Sequence, residues 1–478
     1  MKKMKKLFAI LMTMAMVMGL SITAMADTKD SAIITVENAE HATLQYAQII
    51  KPDTTKPTGW AFVNEDVAQA FLSVFDEYTD DQQLLEYLAT TVENDTDIDG
   101  NYAQALSNVI GKVSFSNMVS PQKVYDAGVY MIKATETGYT YGYMAAYVGF
   151  GEVTIEDTKY DYPSLLDANV IAKKTPTTTT KTENVADDLV EVGTIVTYTV
   201  EAYVPYFDSN DQNKTFSISD AIEGANYYLT GENAIAKVEV EGIDGIYQGV
   251  SAFVVAENGK SFNINLNGLV ADGTNRYAGN KVTVTYTAKV TGTPGEDGVI
   301  DVNNTASTHV GDDTYNSDPV TLYIAQIKMI KKDKDNPDIK LEDAGFKIYK
   351  VENGAPSYAK FDSNNLFVEW VATENEATEV FTGTDGTVTV KGLDQGTYYF
   401  KETTAPKGYS VNENPEDVTV SVNGTATETI KKELSMLDTK LAALPSTGGM
   451  GTTLFTIAGC VIMISAAGLF FATRKKAN

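Results

Sequence analysis

Two ten-residue stretches, IVTYTVEAYV at residues 195–204 and KVTVTYTAKV at residues 281–290, decide the fold. In the first, Val196, Tyr198, Val200, Ala202 and Val204 occupy alternate positions; in the second, Val282, Val284, Tyr286, Ala288 and Val290 do the same. A two-residue period lays these side chains on one face of a strand and the Thr, Glu and Lys between them on the other. Long strands of this kind, separated by Gly, Asn and Asp clusters with no helical periodicity between them, predict an antiparallel sandwich.

Upstream, Lys173-Lys174-Thr175-Pro176, four threonines and Lys181 read as a linker opening this middle domain, residues 173–324. Residues 27–172 carry mixed signals. Strands at 31–36 and 42–50 precede a helix capped by Asn64, with Val67, Phe71 and Phe75 on one face. Thr79 with Gln82 makes a capping box ahead of Leu84, Leu85 and Leu88, and Asn101 with Gln104 starts a third short helix. Strands return at 129–135 and 141–148, so this domain reads as a sandwich with helical insertions. Residues 325–443 carry strand patterns at 327–332, 346–351, 388–390, 398–401 and 418–422. The expected fold is all-β, three tandem Ig-like sandwiches.

Composition narrows the function. The 478 residues hold 37 Lys and Arg against 64 Asp and Glu, a formal charge of −27, which repels phosphate backbones and argues against nucleic-acid partners. Two histidines, His41 and His309, are too few and too far apart for a His-based metal site or triad. The single cysteine, Cys460, leaves no disulfide framework. Asp95-Thr96-Asp97-Ile98-Asp99-Gly100 matches the start of a Ca²⁺ loop, but Leu106 stands where a bidentate Glu belongs, so it reads as a solvated acidic turn with Ca²⁺ as the alternative. No metal or other cofactor is expected.

Both ends point outside the cell. Residues 1–26 read as a secretory signal: Lys2, Lys3, Lys5 and Lys6, an apolar run from Leu7 to Leu20, then Ala24-Met25-Ala26 as the cleavage pattern. Residues 444–478 hold Leu444-Pro445-Ser446-Thr447-Gly448, an apolar stretch long enough to cross a bilayer, and Arg474-Lys475-Lys476. This order resembles the cell-wall sorting signal of Gram-positive surface proteins, LPxTG followed by a transmembrane segment and a basic tail. The resemblance implies that a sortase cleaves between Thr447 and Gly448 and holds the chain as an acyl-enzyme until an amine takes it. Cys460 falls in the discarded part.

The run Tyr398-Tyr399-Phe400-Lys401-Glu402-Thr403-Thr404-Ala405-Pro406-Lys407-Gly408-Tyr409 resembles the E-box, YxLxETxAPxGY, of sortase-assembled pilins and Cna B-type domains, with Phe400 replacing Leu. Lys331-Lys332-Asp333 followed by Leu341-Glu342-Asp343-Ala344-Gly345-Phe346 resembles the opening of the same domains, KxD…LxGAxF, with the Gly-Ala order inverted. The resemblance implies an isopeptide bond from Lys331 to Asp438, with Asn423 as the other acceptor and Glu402 as catalyst. An ammonium has no lone pair, so a lysine must lose its proton before it attacks. Burial in an apolar core lowers a lysine pKa and raises a carboxyl's, which makes that transfer cheaper. The alternative is a buried salt-bridge cluster without a covalent link.

Thr215-Phe216-Ser217-Ile218-Ser219-Asp220 and Val302-Asn303-Asn304-Thr305-Ala306 resemble the pilin D2, or Cna A-type, domain. That likeness implies a second bond, Lys181 to Asn304 with Asp220 as catalyst and ammonia expelled; Asn303 and Asn316 are the alternative acceptors. Val170-Ile171-Ala172-Lys173-Lys174 stands where pilins carry the VxVYPK motif but lacks its Tyr and Pro, and it offers Lys174 or Lys173 as the amine joined to the next subunit.

Taken together, the resemblance implies a structural pilus subunit rather than an enzyme. Its expected partners are a sortase, further pilin subunits, peptidoglycan, and a host surface protein or glycan. The alternative is a wall-anchored adhesin that stays unpolymerised and binds host protein or glycan through its first domain.

Overall fold

The computed structural model describes residues 31–91, 100–155, 158–208, 211–244, 249–272, 275–292, 301–421, 431–441 and 451–474. The secretory signal, the Asp95–Asp99 turn, Asn423 and the Leu444–Gly448 motif lie outside the described residues. The chain falls into two compact units, Met1–Asp188 with Gly193–Tyr323, and Leu189–Val192 with Ile324–Asn478.

In the first part of unit one, Thr43–Pro52 and Gly128–Thr135 form the centre of a sheet bounded by Trp60–Phe62 and Met144–Val148. A three-stranded sheet runs Ala168–Ile171, Ala32–Glu37, Gln122–Val124, its first pair parallel. Three helices, Glu65–Leu72, Asp81–Thr91 and Gly100–Val109, interrupt these strands. Val67 and Phe71 of the first helix are fully buried, and the Asn64 side chain accepts from Val67 N at 2.8 Å. The second helix departs from the expected box. Asp80 Oδ1 takes the N–H groups of Gln82 and Gln83 at 2.7 and 3.3 Å, while the Gln82 side chain turns to Thr58 and Trp60. Asp is as strong a cap as Thr, so the helix starts one residue later.

The rest of unit one is a sandwich. One sheet runs Thr180–Glu183, Ile195–Tyr203, Lys281–Val290, Ala225–Tyr227, with Ala236–Val240 also on Lys281–Val290. The other runs Val254–Val255, Ser261–Asn265, Phe216–Glu223, Asp301–Val310, Asp313–Asn316, with Val320–Tyr323 also on Asp301–Val310. Strands Ile195–Tyr203 and Lys281–Val290 pair antiparallel along their length, with Tyr198 opposite Tyr286.

Unit two is also two-layered. A three-stranded sheet has Ala325–Asp333 between Thr387–Leu393 and Lys431–Asp438, the latter parallel to it. The second layer runs Phe367–Val371, Ala355–Phe361, Gly345–Glu352, Gly396–Thr404, Glu416–Val420. The short run Leu189–Val192 joins this unit, where Val192 N donates to Gly392 O at 3.0 Å and Trp370 Nε1 donates to Glu191 Oε2 at 2.9 Å. Helix Gly451–Arg474 exposes Phe455, Ile462, Ile464 and Phe471. Among the helices whose side chains are described from end to end, none is long and apolar enough to cross a membrane.

Candidate functional sites: two buried lysine clusters

Strand alternation builds the cluster in unit two. Along Ala325–Asp333 every odd residue is buried, which brings Ile327, Met329, Lys331 and Asp333 to the core face and leaves Lys332 outside it. On Gly396–Thr404 the same period buries Tyr398, Phe400 and Glu402. On Lys431–Asp438 it buries Met436 and Asp438. Lys331 pairs in register with Met436, so Asp438 sits diagonally ahead of it on the adjacent strand. The three groups meet: Lys331 Nζ lies 2.5 Å from Asp438 Oδ1 and 2.9 Å from Glu402 Oε1, with all three side chains sealed from solvent. Neither approach has hydrogen-bond angles, so Nζ, Oε1 and both Asp438 oxygens are in contact yet unsatisfied.

The wall of this site is apolar. The Phe346 ring lies 5.5 Å from Lys331 Nζ and meets the Phe400 ring edge-on at 6.2 Å. Burial pushes the Glu402 carboxyl up, and the Asn412 N–H, donating to Oε2 at 2.6 Å, only partly offsets it. The shift favours a carboxyl that holds a proton.

A polar clasp lies beside the cluster. Asp333, fully buried, accepts from Lys440 Nζ at 2.6 Å and Tyr409 Oη at 2.8 Å, and those contacts hold its carboxyl far below the usual range. Leu441 N donates to Gly408 O at 2.9 Å and Ser410 N to Thr439 O at 3.1 Å. The strand that carries Asp438 is thereby pinned to the E-box loop up to residue 441.

The cluster in unit one spans its two sheets. Lys181 comes from Thr180–Glu183 in one sheet. From the other, alternation on Phe216–Glu223 turns Asp220 inward, and alternation on Asp301–Val310 turns Val302, Asn304, Ala306 and Thr308 inward. Asp220 and Asn304 lie on adjacent paired strands, in register with Ala306 and Ile222 respectively. Gly224, at φ +70°, ends the Asp220 strand; a Cβ there would stand 1.9 Å from Asp301 O, so only glycine lets the strands close beside Asn304.

Lys181 Nζ contacts Asp220 Oδ2 and donates to Tyr286 Oη at 2.5 Å. Asn304 Nδ2 donates to the same Tyr286 Oη at 2.8 Å, and Tyr227 Oη donates to Asp220 Oδ1 at 2.9 Å. Asn304 is fully buried and its Oδ1 has no partner. Tyr198 and Tyr286 stack with centroids 5.5 Å apart, and each ring centre lies 5.1 Å from Lys181 Nζ. Burial pushes the Lys181 amine down and the Asp220 carboxyl up, the Lys181–Asp220 attraction opposing both. Both shifts lower the cost of passing a proton from lysine to aspartate.

The structure also separates the alternatives. Asn303 faces away, donating to Asp301 Oδ2 at 3.1 Å and accepting from Thr321 Oγ1 at 2.8 Å, and exposed Asn316 accepts from Ser307 Oγ at 2.7 Å. Asn304 lies on a strand followed by two more, Asp313–Asn316 and Val320–Tyr323, so it is not on the last strand of its domain. Of the linker lysines, Lys173 is exposed. Lys174 is half-buried on a strand pairing Tyr139–Tyr141, its Nζ 4.6 Å from the Tyr139 ring centre and 3.9 Å from Glu136 Oε2. Sequence reasoning missed Tyr198, Tyr227 and Tyr286; the alternation that turns Tyr198 and Tyr286 inward was the signal available for two of them.

Two stretches of the chain match known family models. Residues 325–434 match the SpaA family, described as a prealbumin-like fold domain, and residues 437–478 match the LPXTG cell wall anchor motif. The trypsin-resistant surface T6 protein of Streptococcus pyogenes serotype M6 is 29% identical over 133 residues, 26% of this chain; the chain spans about a quarter (24%) of that relative's length. The T6 backbone pilin structure from the same organism superimposes with a TM-score of 0.49 at 18% identity, covering 84% of this chain and 81% of that one. The full-length major pilin SpaD of Corynebacterium diphtheriae gives 0.48 at 15% identity, covering 88% and 100%. Residues 325–434 thus form a prealbumin-like SpaA domain and residues 437–478 an LPXTG cell wall anchor, which places the chain at the cell-wall surface.

Proposed function

We propose that this chain is the structural subunit of a covalently polymerised cell-surface pilus, strengthened inside its domains by isopeptide bonds. It carries three domains in series, 27–172, 173–324 and 325–443, and residues 444–448 are cut by a sortase between Thr447 and Gly448. The observation that carries the reading is the pair of solvent-sealed lysines: Lys331 held against Glu402 and Asp438, and Lys181 held against Asp220 and linked to Asn304 through the shared Tyr286 Oη. Buried charges are costly unless paired and fully hydrogen-bonded, and the Lys331 cluster is not.

In unit two, Lys331 Nζ gives a proton to Glu402, attacks Asp438 Cγ, and the Nζ–Cγ amide forms as water leaves. In unit one, Lys181 gives a proton to Asp220 and attacks Asn304 Cγ, and ammonia leaves. The folded sandwich supplies the effective concentration that an external enzyme would otherwise provide.

Polymer growth needs an accessible amine to resolve the Thr447 acyl-enzyme. Lys173 and Lys174 are the candidates, and accessibility favours Lys173. The partners are thus a sortase, further copies of the chain, and peptidoglycan at the base. Wall extracts should give a ladder of SDS-resistant multimers that collapses when Lys173 and Lys174 are both changed to Ala. A single band from the parent strain contradicts polymerisation and leaves an unpolymerised wall protein.

A further inference from the structure

We propose that Tyr286 is a catalytic residue of the Lys181–Asn304 reaction, its phenol passing a proton from the attacking amine to the departing one. This rests on the crosslink proposed above and adds a step to it. The amide nitrogen of Asn304 cannot leave as an anion; it must gain a proton as the Cγ–Nδ2 bond breaks. After its first proton has gone to Asp220, Lys181 still holds one hydrogen more than the product amide needs. One atom is placed within hydrogen-bond distance of both nitrogens. Tyr286 Oη lies 2.5 Å from Lys181 Nζ and 2.8 Å from Asn304 Nδ2, on a fully buried ring from the strand facing Asp220 and Asn304.

The step balances. Lys181 Nζ bonds to Asn304 Cγ; one Nζ hydrogen moves to Oη while the Oη hydrogen moves to Nδ2. The Cγ–Nδ2 pair stays with nitrogen, and ammonia departs carrying the two original amide hydrogens and the delivered one. Tyr286 ends as it began. The proton parked on Asp220 leaves with the ammonia as ammonium. Burial and the Asp220 charge hold the Tyr286 phenol well above its usual range, so it stays an intact O–H, as a relay requires, rather than a phenolate base. The other phenols have different tasks: Tyr227 donates to Asp220, and Tyr198 stacks on the Tyr286 ring and walls the lysine.

The test follows full-length chain made by cell-free translation, with aliquots quenched in acid and weighed intact. Tyr286→Phe keeps the ring and removes the relay. It should lose ammonia about 10²-fold more slowly than the parent, the usual scale for one proton-transfer group, while the water loss assigned to Lys331 and Asp438 keeps its parental rate. Ammonia loss at the parental rate in Tyr286→Phe overturns the relay. Loss of neither ammonia nor water from the parent overturns the crosslinks themselves, which is a separate result. A second readout uses the parent alone and does not depend on how the variant folds. With two hydrogens in flight, ammonia loss in D₂O should be at least twofold slower than in H₂O, and an unchanged rate contradicts the relay.

Discussion

At the scale of single residues, Asp333 makes the clearest thermodynamic statement. Its carboxyl is held far below the usual range by Lys440 and then Tyr409, so the folded state binds its proton more weakly than the unfolded chain does. Such a group stabilises the fold at pH values above the unfolded pKa of about 3.9, and the contribution drains away as pH falls from there toward the folded value. Asp333→Asn should therefore lower the Tm of unit two at neutral pH. The gap between parent and variant should shrink below about pH 4 in thermal scans, and a constant gap from pH 7 to pH 3 contradicts the assignment. The residue scale also marks what could be read in advance. Period two says that Lys331 and Lys332, or Asn303 and Asn304, face opposite ways; the structure shows that Lys331 and Asn304 are the inward members. The tyrosine cage could not be read the same way: alternation says that Tyr198 and Tyr286 point inward, but not that a phenol oxygen lands between two nitrogens from other strands.

Among elements, the two proposed bonds join different parts of the fold. Lys331 and Asp438 lie on adjacent parallel strands of one sheet, the first and last of their domain, whereas Lys181 and Asn304 bridge two sheets. A bond of the first kind lets force enter at residue 331 and leave at 438 without loading the strands between. The 107 steps from 331 to 438 are then hidden from stretching. Glu402→Ala, which keeps both ends of the bond but removes its catalyst, should expose them as an added extension of about 350–390 Å in single-molecule pulling, at about 3.3–3.6 Å per step. Identical extension in parent and variant rules out the tie. The long strands with clear alternation were legible, with bounds shifted by a few residues, whereas strands such as Ser261–Asn265, Ala355–Phe361 and Phe367–Val371 were not. Lys431–Asp438 was missed as a strand because its outward positions and inward acid, LysLysGluLeuSerMetLeuAsp, carry little apolar contrast. The shifted helix start at Asp80 has a similar origin, since Thr79 and Asp80 are both good caps and only tertiary contacts of Gln82 choose between them.

For the whole molecule, the sequence already contains the division of labour: an exported acidic body without disulfides, an anchor motif at 437–478, and a prealbumin-like domain at 325–434. A secreted chain of this size without cysteine in its body has no disulfide staples, and on the proposed function lysine–acyl bonds inside the sandwiches take that role. The measurement that tests this most directly is the intact mass of the purified body, residues 27–447. The account predicts a value below that calculated from the sequence by one ammonia and one water, with linked peptides joining Lys181 to Asn304 and Lys331 to Asp438. A body that weighs its full calculated mass contradicts it.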